Sequence, residues 1–303
     1  MAAAGAADLD HLRAALRQVQ GEVDACFDNL LPVPDDARAK LVEAMRYAAI
    51  GGGKRVRPLL LTATADMFGV AREAAIRAAC AVEAIHAYSL VHDDLPCMDD
   101  DALRHGKPTV HRKYDEATAV LAGDSLHALA FEILADEATS PAPHTRVELI
   151  SCLATASGHD GMAGGQMMDM LAEEQDFDLH SITRLQQLKT GALLGAAVEM
   201  GAILGHVTED HRGQLRLYAR DIGLAFQIVD DLLDATGDED KAGKALRKDE
   251  GQGKATFVSL MGIDGARQQA HALIDQAIGH LTPYDREADL LRELARFIVE
   301  RDR

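Results

Sequence analysis

Polar and apolar positions keep helical spacing along nearly the whole chain. Apolar residues recur every three to four positions over 9–29, 36–50, 59–68, 72–92 and 118–138, which predicts helices there. Pro32 and Pro34 end the first, and Asp35 or Asp36 is placed to cap the second. Another helix begins at 147–156, and three more follow over 181–204, 210–234 and 254–281. A last one covers 285–301, and the polar, Gly- and Lys-rich stretch 238–253 reads as a mobile loop. No segment alternates with period two. The pattern predicts an all-α fold, one domain over 1–303, with about ten or more helices around a central apolar cavity.

Composition narrows the function. The chain has 303 residues and 48% hydrophobic residues, enough for a large core. Aromatics are 4% and Trp is absent, which argues against a stacking platform for bases or sugars. A net charge of −18 makes nucleic acid and anionic membranes poor partners. No window approaches 18 uninterrupted apolar residues, so no membrane span is expected. Cys26, Cys80, Cys97 and Cys152 form no C-x-x-C pair and read as reduced thiols. With no secretory signal at 1–16, the expected location is cytoplasmic.

Candidate chemistry concentrates in two stretches. AVEAIHAYSLVHDDLPCMDDD runs apolar into Asp93, Asp94, Asp99, Asp100 and Asp101. GLAFQIVDDLLD does the same, ending in Asp230, Asp231 and Asp234, with Asp230 and Asp234 one turn apart on one helix face. Carboxylates that close cannot all ionise without a cation or bulk water. One such cluster is as readily a solvated helix end; two, each fed by an apolar helix, are not. Carboxylates suit hard cations, and Mg²⁺ binds through one or two of them together with water and substrate phosphates. A diphosphate is the natural guest. GGGKRVRP, with three glycines before Lys54, Arg55 and Arg57, can approach an anion closely, although the same stretch alone reads more readily as a helix stop with solvated basic residues. EF-hand, H-E-x-x-H and G-x-S-x-G patterns are missing, which argues against a calcium loop, a zinc hydrolase and a serine nucleophile.

These pieces occur in order with LRHGKPT, LAGDSL, GMAGGQMMD, KTGAL and GKATF, and over 41–301 the chain resembles the bacterial short-chain trans-isoprenyl diphosphate synthases, closest to those making farnesyl diphosphate. The resemblance implies the isoprenoid synthase fold, a homodimer and Mg²⁺, three ions with the diphosphate. It implies head-to-tail condensation of isopentenyl diphosphate with dimethylallyl and then geranyl diphosphate. Asp93, Asp94, Asp99, Asp230, Asp231 and Asp234 would serve the metal. Arg104, Lys189 and Lys254 would contact the allylic diphosphate; Lys54, Arg57 and His86 would hold that of isopentenyl diphosphate. Thr190 and Gln227 would turn dipoles to the developing cation. Tyr88 and Ser89, just before Asp93, would set product length, with Tyr88 as a floor. The family pattern has a second arginine where this chain has His105, and a glycine where it has Arg247. Geranyl or geranylgeranyl diphosphate is the alternative product. A class I terpene cyclase fits less well, because its second metal motif carries Asn and Ser or Thr where this chain has DDLLD. A non-catalytic partner subunit, which would tend to lose its aspartates, fits less well too.

Overall fold

The structure, a computed structural model, describes residues 2–172, 175, 177–236 and 256–300, with side chains from residue 9 onward. The described residues are helical apart from turns and one short hairpin, as the spacing predicts. In order they form α1 (Ala2–Leu30), α2 (Ala39–Ala49), α3 (Val56–Met67), α4 (Arg72–Asp93), α5 (Val110–Lys113), α6 (Glu116–Ala135), α7 (Pro143–Ser157) and α8 (Met162–Leu171). Then come α9 (Leu179–Gln186), α10 (Ala192–Leu204), α11 (Glu209–Thr236), α12 (Phe257–His280) and α13 (Asp289–Glu300).

Local chemistry sets several of these bounds. Asp115 caps α6, accepting from Thr118 N at 2.7 Å and Thr118 Oγ1 at 2.9 Å. Lys40 and these bonds hold the Asp115 carboxyl down at about 2. Asp178 caps α9 through Ser181 N at 2.8 Å. Thr256 and Ser259 form a reciprocal capping box at the start of α12. Asp36 does not cap α2 directly; it closes a turn onto Arg38 N at 2.9 Å, and the helix starts later than its apolar spacing suggests. Pro58 does not delay α3, because the N–H it lacks belongs to a first turn that has no intrahelical acceptor for it.

The chain divides into two compact units. One comprises Arg13–Ile150 and Ile203–Gly205; the other comprises the described residues of Met1–Leu12, Ser151–Ala202 and His206–Arg303. In the first unit α4 packs against α3 and α6. Its alanines at 75, 78, 79, 81 and 84 are fully buried, and α3 is buried from Pro58 to Ala65. Small side chains let these helices approach closely and carry no rotamer cost. By length and composition α4 and α6 are apolar enough to cross a membrane. Packing accounts for α4, since 67% of that window is buried within protein and Glu83 within it pairs with Arg55. In the second unit α11 packs along α12 and α13. Tyr218 lies fully buried there and donates to Leu291 O at 2.8 Å.

Arg55 ties three helices of the first unit together. Its guanidinium donates to Glu83 Oε1, Asp24 Oδ1 and Ala49 O, each at 2.6 Å, and the residue is 4% exposed. Burial opposes its charge, but Glu83 and Asp24 outweigh that and hold the guanidinium above its ordinary pKa. Removing it would strand a buried carboxylate. We expect Arg55→Ala to lower stability by about 3–5 kcal/mol, read as a fall in the urea midpoint at unchanged slope; a loss under about 1 kcal/mol would mean that water replaces the guanidinium.

Candidate active site

The first acidic cluster stands at the wrong end of a helix. Asp93 closes α4, where the helix dipole is negative, and Asp94 follows as its C-cap. The chain then folds back on itself: Met98 N donates to Leu95 O at 2.9 Å, and Asp99 N to Asp93 O at 2.8 Å. This turn brings Asp99 beside Asp93 although six positions separate them, and Asp100 takes a left-handed φ of 47° to complete it. Asp94 is different in kind. It is 3% exposed and meets Arg104 Nη2 at 2.6 Å and Nε at 2.7 Å. Burial pushes its carboxyl up, and the Arg104 guanidinium pulls it back only in part. Asp94 therefore anchors the hairpin beneath the cluster, and Asp93 and Asp99 present the accessible carboxylates.

That hairpin pairs Leu103–Arg104 with Lys107–Pro108 in antiparallel register, Leu103 opposite Pro108 and Arg104 opposite Lys107. Two-residue strands are too short to show alternation in sequence. His105 and Gly106 form the turn, with φ of 51° and 74°. Two successive positive φ values are what a tight hairpin loop needs. A cavity of about 110 Å³ opens beside it, lined among others by Gly51–Gly53, His86, Arg104, His105 and Lys107. Gly51 and Gly53 hold φ of 72° and 69°, which only glycine adopts freely. Lys107 Nζ lies 3.9 Å from where a Cβ on Gly51 would stand. Lys54 is exposed, and Arg57 sits in the first turn of α3 close enough to act on His86. Burial, then Arg57, His105, Arg55 and Arg104, press the His86 pKa well below the ordinary histidine value. His105 is lowered by burial and Arg104 in the same way. Both imidazoles are neutral at pH 7 in a pocket where Glu83 and Asp94 are paired with Arg55 and Arg104 and Lys107 adds a further cation, a balance that favours an anion.

The second unit gathers the other candidates. The single helix expected over 181–204 is interrupted by one π-helical turn, Gln187–Gly191, which carries Lys189 and Thr190. Wide turns of this kind mark functional positions because they re-aim side chains within a helix. Lys189 Nζ donates to Asp169 Oδ2 at 2.7 Å, from α8. Gly165 makes that contact possible: a Cβ there would fall 2.1 Å from Lys189 N. Gln227 donates to Gln186 Oε1 at 2.8 Å, tying α11 to the end of α9. Asp230 and Asp234 lie near the C-terminal, negative end of α11, both half-buried. Asp231 points elsewhere; it is buried and accepts from Phe257 N at 2.8 Å, at the start of α12. Lys254 and Arg247 lie outside the described residues. No group of three His, Cys, Asp or Glu side chains converges on a metal position among the described residues. Mg²⁺ needs only one or two carboxylates when a phosphate supplies the rest, and Asp93 with Asp99, or Asp230 with Asp234, fit that demand.

The polyprenyl synthetase family profile matches residues 38–294. The chain belongs to the polyprenyl synthetase family. It is 46% identical to the farnesyl diphosphate synthase of Escherichia coli over 87% of this chain and 90% of that one. A crystal structure described as an FPP/GFPP synthase from Zymomonas mobilis shares 57% identity and a TM-score of 0.88, covering 95% of this chain and 99% of that one. A geranylgeranyl pyrophosphate synthetase from Pyrococcus horikoshii aligns at 32% identity and a TM-score of 0.87, covering 97% and 99%.

Three residues of this polyprenyl synthetase were not singled out by sequence. Lys107 and Asp169 stand inside quoted motifs, yet only folding gives one a cavity and the other the Lys189 amine. His127, on α6, stands edge-on to Tyr88 at 5.1 Å between centroids, and no motif marks it. His105 invites a direct test. Its imidazolium is the form that binds an anion, and its lowered pKa means that this form is lost as pH rises through a point below the ordinary value. Affinity for inorganic diphosphate, measured by calorimetry without metal, should therefore rise more steeply in wild type than in His105→Gln as pH falls below ~6.5. Parallel curves would make His105 a spectator.

Proposed function

We propose that this polyprenyl synthetase condenses isopentenyl diphosphate head-to-tail with dimethylallyl and then geranyl diphosphate, giving farnesyl diphosphate. The observation that carries the reading is the pairing of two kinds of site: acidic helix ends on α4 and α11, and a separate cationic pocket around Gly51–Gly53 and the hairpin. A one-substrate cyclase has no use for the second. Similarity to farnesyl diphosphate synthases across most of the chain supports it.

Asp93, Asp99, Asp230 and Asp234 offer carboxylates to Mg²⁺; Asp94 and Asp231 shape the two clusters through Arg104 and Phe257 N. Mg²⁺, when bound with substrate, neutralises the charge that develops on the departing diphosphate. Lys189, oriented by Asp169, and Arg104 with Lys254 add positive charge to the same leaving group. Thr190 and Gln227 turn oxygen dipoles toward the allylic cation. Lys54, Arg57, His86, His105 and Lys107 hold isopentenyl diphosphate so that its double bond attacks that cation. Diphosphate leaves with the allylic bonding pair, the new carbon–carbon bond forms, and a proton is lost from the adduct. Apolar walls keep water from trapping the cation.

Tyr88 supports fifteen carbons as the stopping point. Its ring is braced edge-on by His92 at 5.7 Å and His127 at 5.1 Å, and His127 in turn by Phe131 at 5.2 Å. A braced ring makes a firm floor. Ser89 turns its hydroxyl back to His86 O at 2.9 Å, leaving a small side chain one turn before Asp93. Similarity to geranylgeranyl synthases keeps a longer product as the second reading. The assembly we propose is a homodimer, because α6 exposes Val120 and Leu121 and α7 exposes Val147. The free thiols fit a reducing cytoplasm.

Two results decide the scheme. Asp93→Ala or Asp230→Ala should cut turnover at saturating Mg²⁺ by about three orders of magnitude, ~4 kcal/mol of barrier, with far-UV circular dichroism unchanged. Near-normal rates in either would remove the metal from that cluster. For chain length, Tyr88→Ala should shift the main product to twenty carbons and Ser89→Phe should leave it at ten, by chromatography of the dephosphorylated products. Fifteen carbons from both variants would place the floor elsewhere.

A further inference from the structure

Fifty-odd positions apart in sequence, two of the four cysteines meet. Cys80 Sγ on α4 reaches Val23 O of α1 at 3.8 Å, one turn before Cys26, and this brings the two thiols close enough to act on one another. Their surroundings differ. Cys80 is fully buried, while Cys26 is half-exposed. Cys80 lowers the Cys26 pKa, against the effect of burial, and Arg77 helps; Cys26 and burial push Cys80 well up. One sulfur is thus accessible and inclined to ionise, and the other is sheltered, protonated and set against α1 one helical turn away. That is the asymmetry of an attacking and a resolving thiol.

We propose that Cys26 and Cys80 form a redox pair that hydrogen peroxide closes to a disulfide, clamping α1 to α4. The Cys26 thiolate attacks one peroxide oxygen. The O–O bond breaks, the sulfur is oxidised to sulfenic acid, and the departing hydroxide takes a proton and leaves as water. Cys80 sulfur then attacks Cys26 sulfur, the S–O bond breaks, and hydroxide leaves with the Cys80 proton as a second water. Two thiols and one peroxide give one disulfide and two waters, and a dithiol reverses the change. The bond would sit one turn from both carboxylates that cage Arg55: Asp24 precedes Cys26 on α1, and Glu83 follows Cys80 on α4. Oxidation therefore stiffens the frame that holds the Gly51–Gly53 turn, whose Gly51 N also donates to Asp24 Oδ1 at 3.1 Å.

The test uses the full-length protein carrying Cys97→Ser, which removes the exposed thiol. The sample is titrated with hydrogen peroxide, alkylated under denaturing conditions and mapped by mass spectrometry. The expected result is a Cys26–Cys80 linked peptide that dithiothreitol abolishes and that Cys26→Ser and Cys80→Ser each lack. The oxidised protein should also melt several degrees above the reduced one, since the bond closes a long loop of the unfolded chain. Sulfinic acid at Cys26 with Cys80 still alkylated, no oxidation of either thiol, or an unchanged melting temperature would overturn the proposal.

Discussion

Like charge crowded at the negative end of a helix is the constraint on which this molecule turns. α4 and α11 each run apolar side chains into carboxylates placed where the backbone carbonyls already concentrate negative charge. A protein seeking stability alone would put basic residues there. The arrangement persists because each cluster is part-neutralised from within and left open on one side. Arg104 takes Asp94, and the Phe257 amide takes Asp231, so the buried acids are satisfied. The other acids of the two clusters stay nearer the surface. Stability and the proposed affinity for Mg²⁺ would thus draw on neighbouring residues of the same motif, with burial separating the two roles.

The opposite charge is handled in the same way. Of the basic residues after the three glycines, Arg55 is drawn inward and caged by Glu83, Asp24 and a carbonyl. Its neighbours are then carried on a loop whose shape is fixed from below. The positive φ values at Gly51, Gly53 and Arg55 show how tightly the backbone is bent to place them. Burial, and then cationic surroundings, lower the pKa of His86 and His105 and favour their neutral forms.

Backbone irregularity recurs where chemistry is expected. The π turn at Gln187–Gly191 breaks an otherwise continuous helix at Lys189 and Thr190, and Gly165 lets α8 lie directly against it. Asp169 then fixes the lysine amine. Similarly, His105 takes a left-handed conformation at the hairpin tip, where an arginine in the family pattern would have to adopt the same one.

Much of this was legible in the chain itself. Apolar spacing of three to four residues determined an all-helical protein, because only a helix puts those positions on one face. Runs of aspartate after apolar helices pointed to a cation site, because a cation relieves their repulsion most simply. The ordered motifs determined the family. Spacing does not report which member of a charged cluster goes inside, and that was left to tertiary structure. Asp94 and Asp231 look like their neighbours in sequence but are buried, whereas Asp93, Asp230 and Asp234 are half-buried and Asp99 is exposed. Arg55 reads as one cation among three, and packing makes it a strut. The π turn, the meeting of Cys26 with Cys80 and the bracing of Tyr88 by His127 all depend on elements far apart in sequence coming together, which no local pattern encodes.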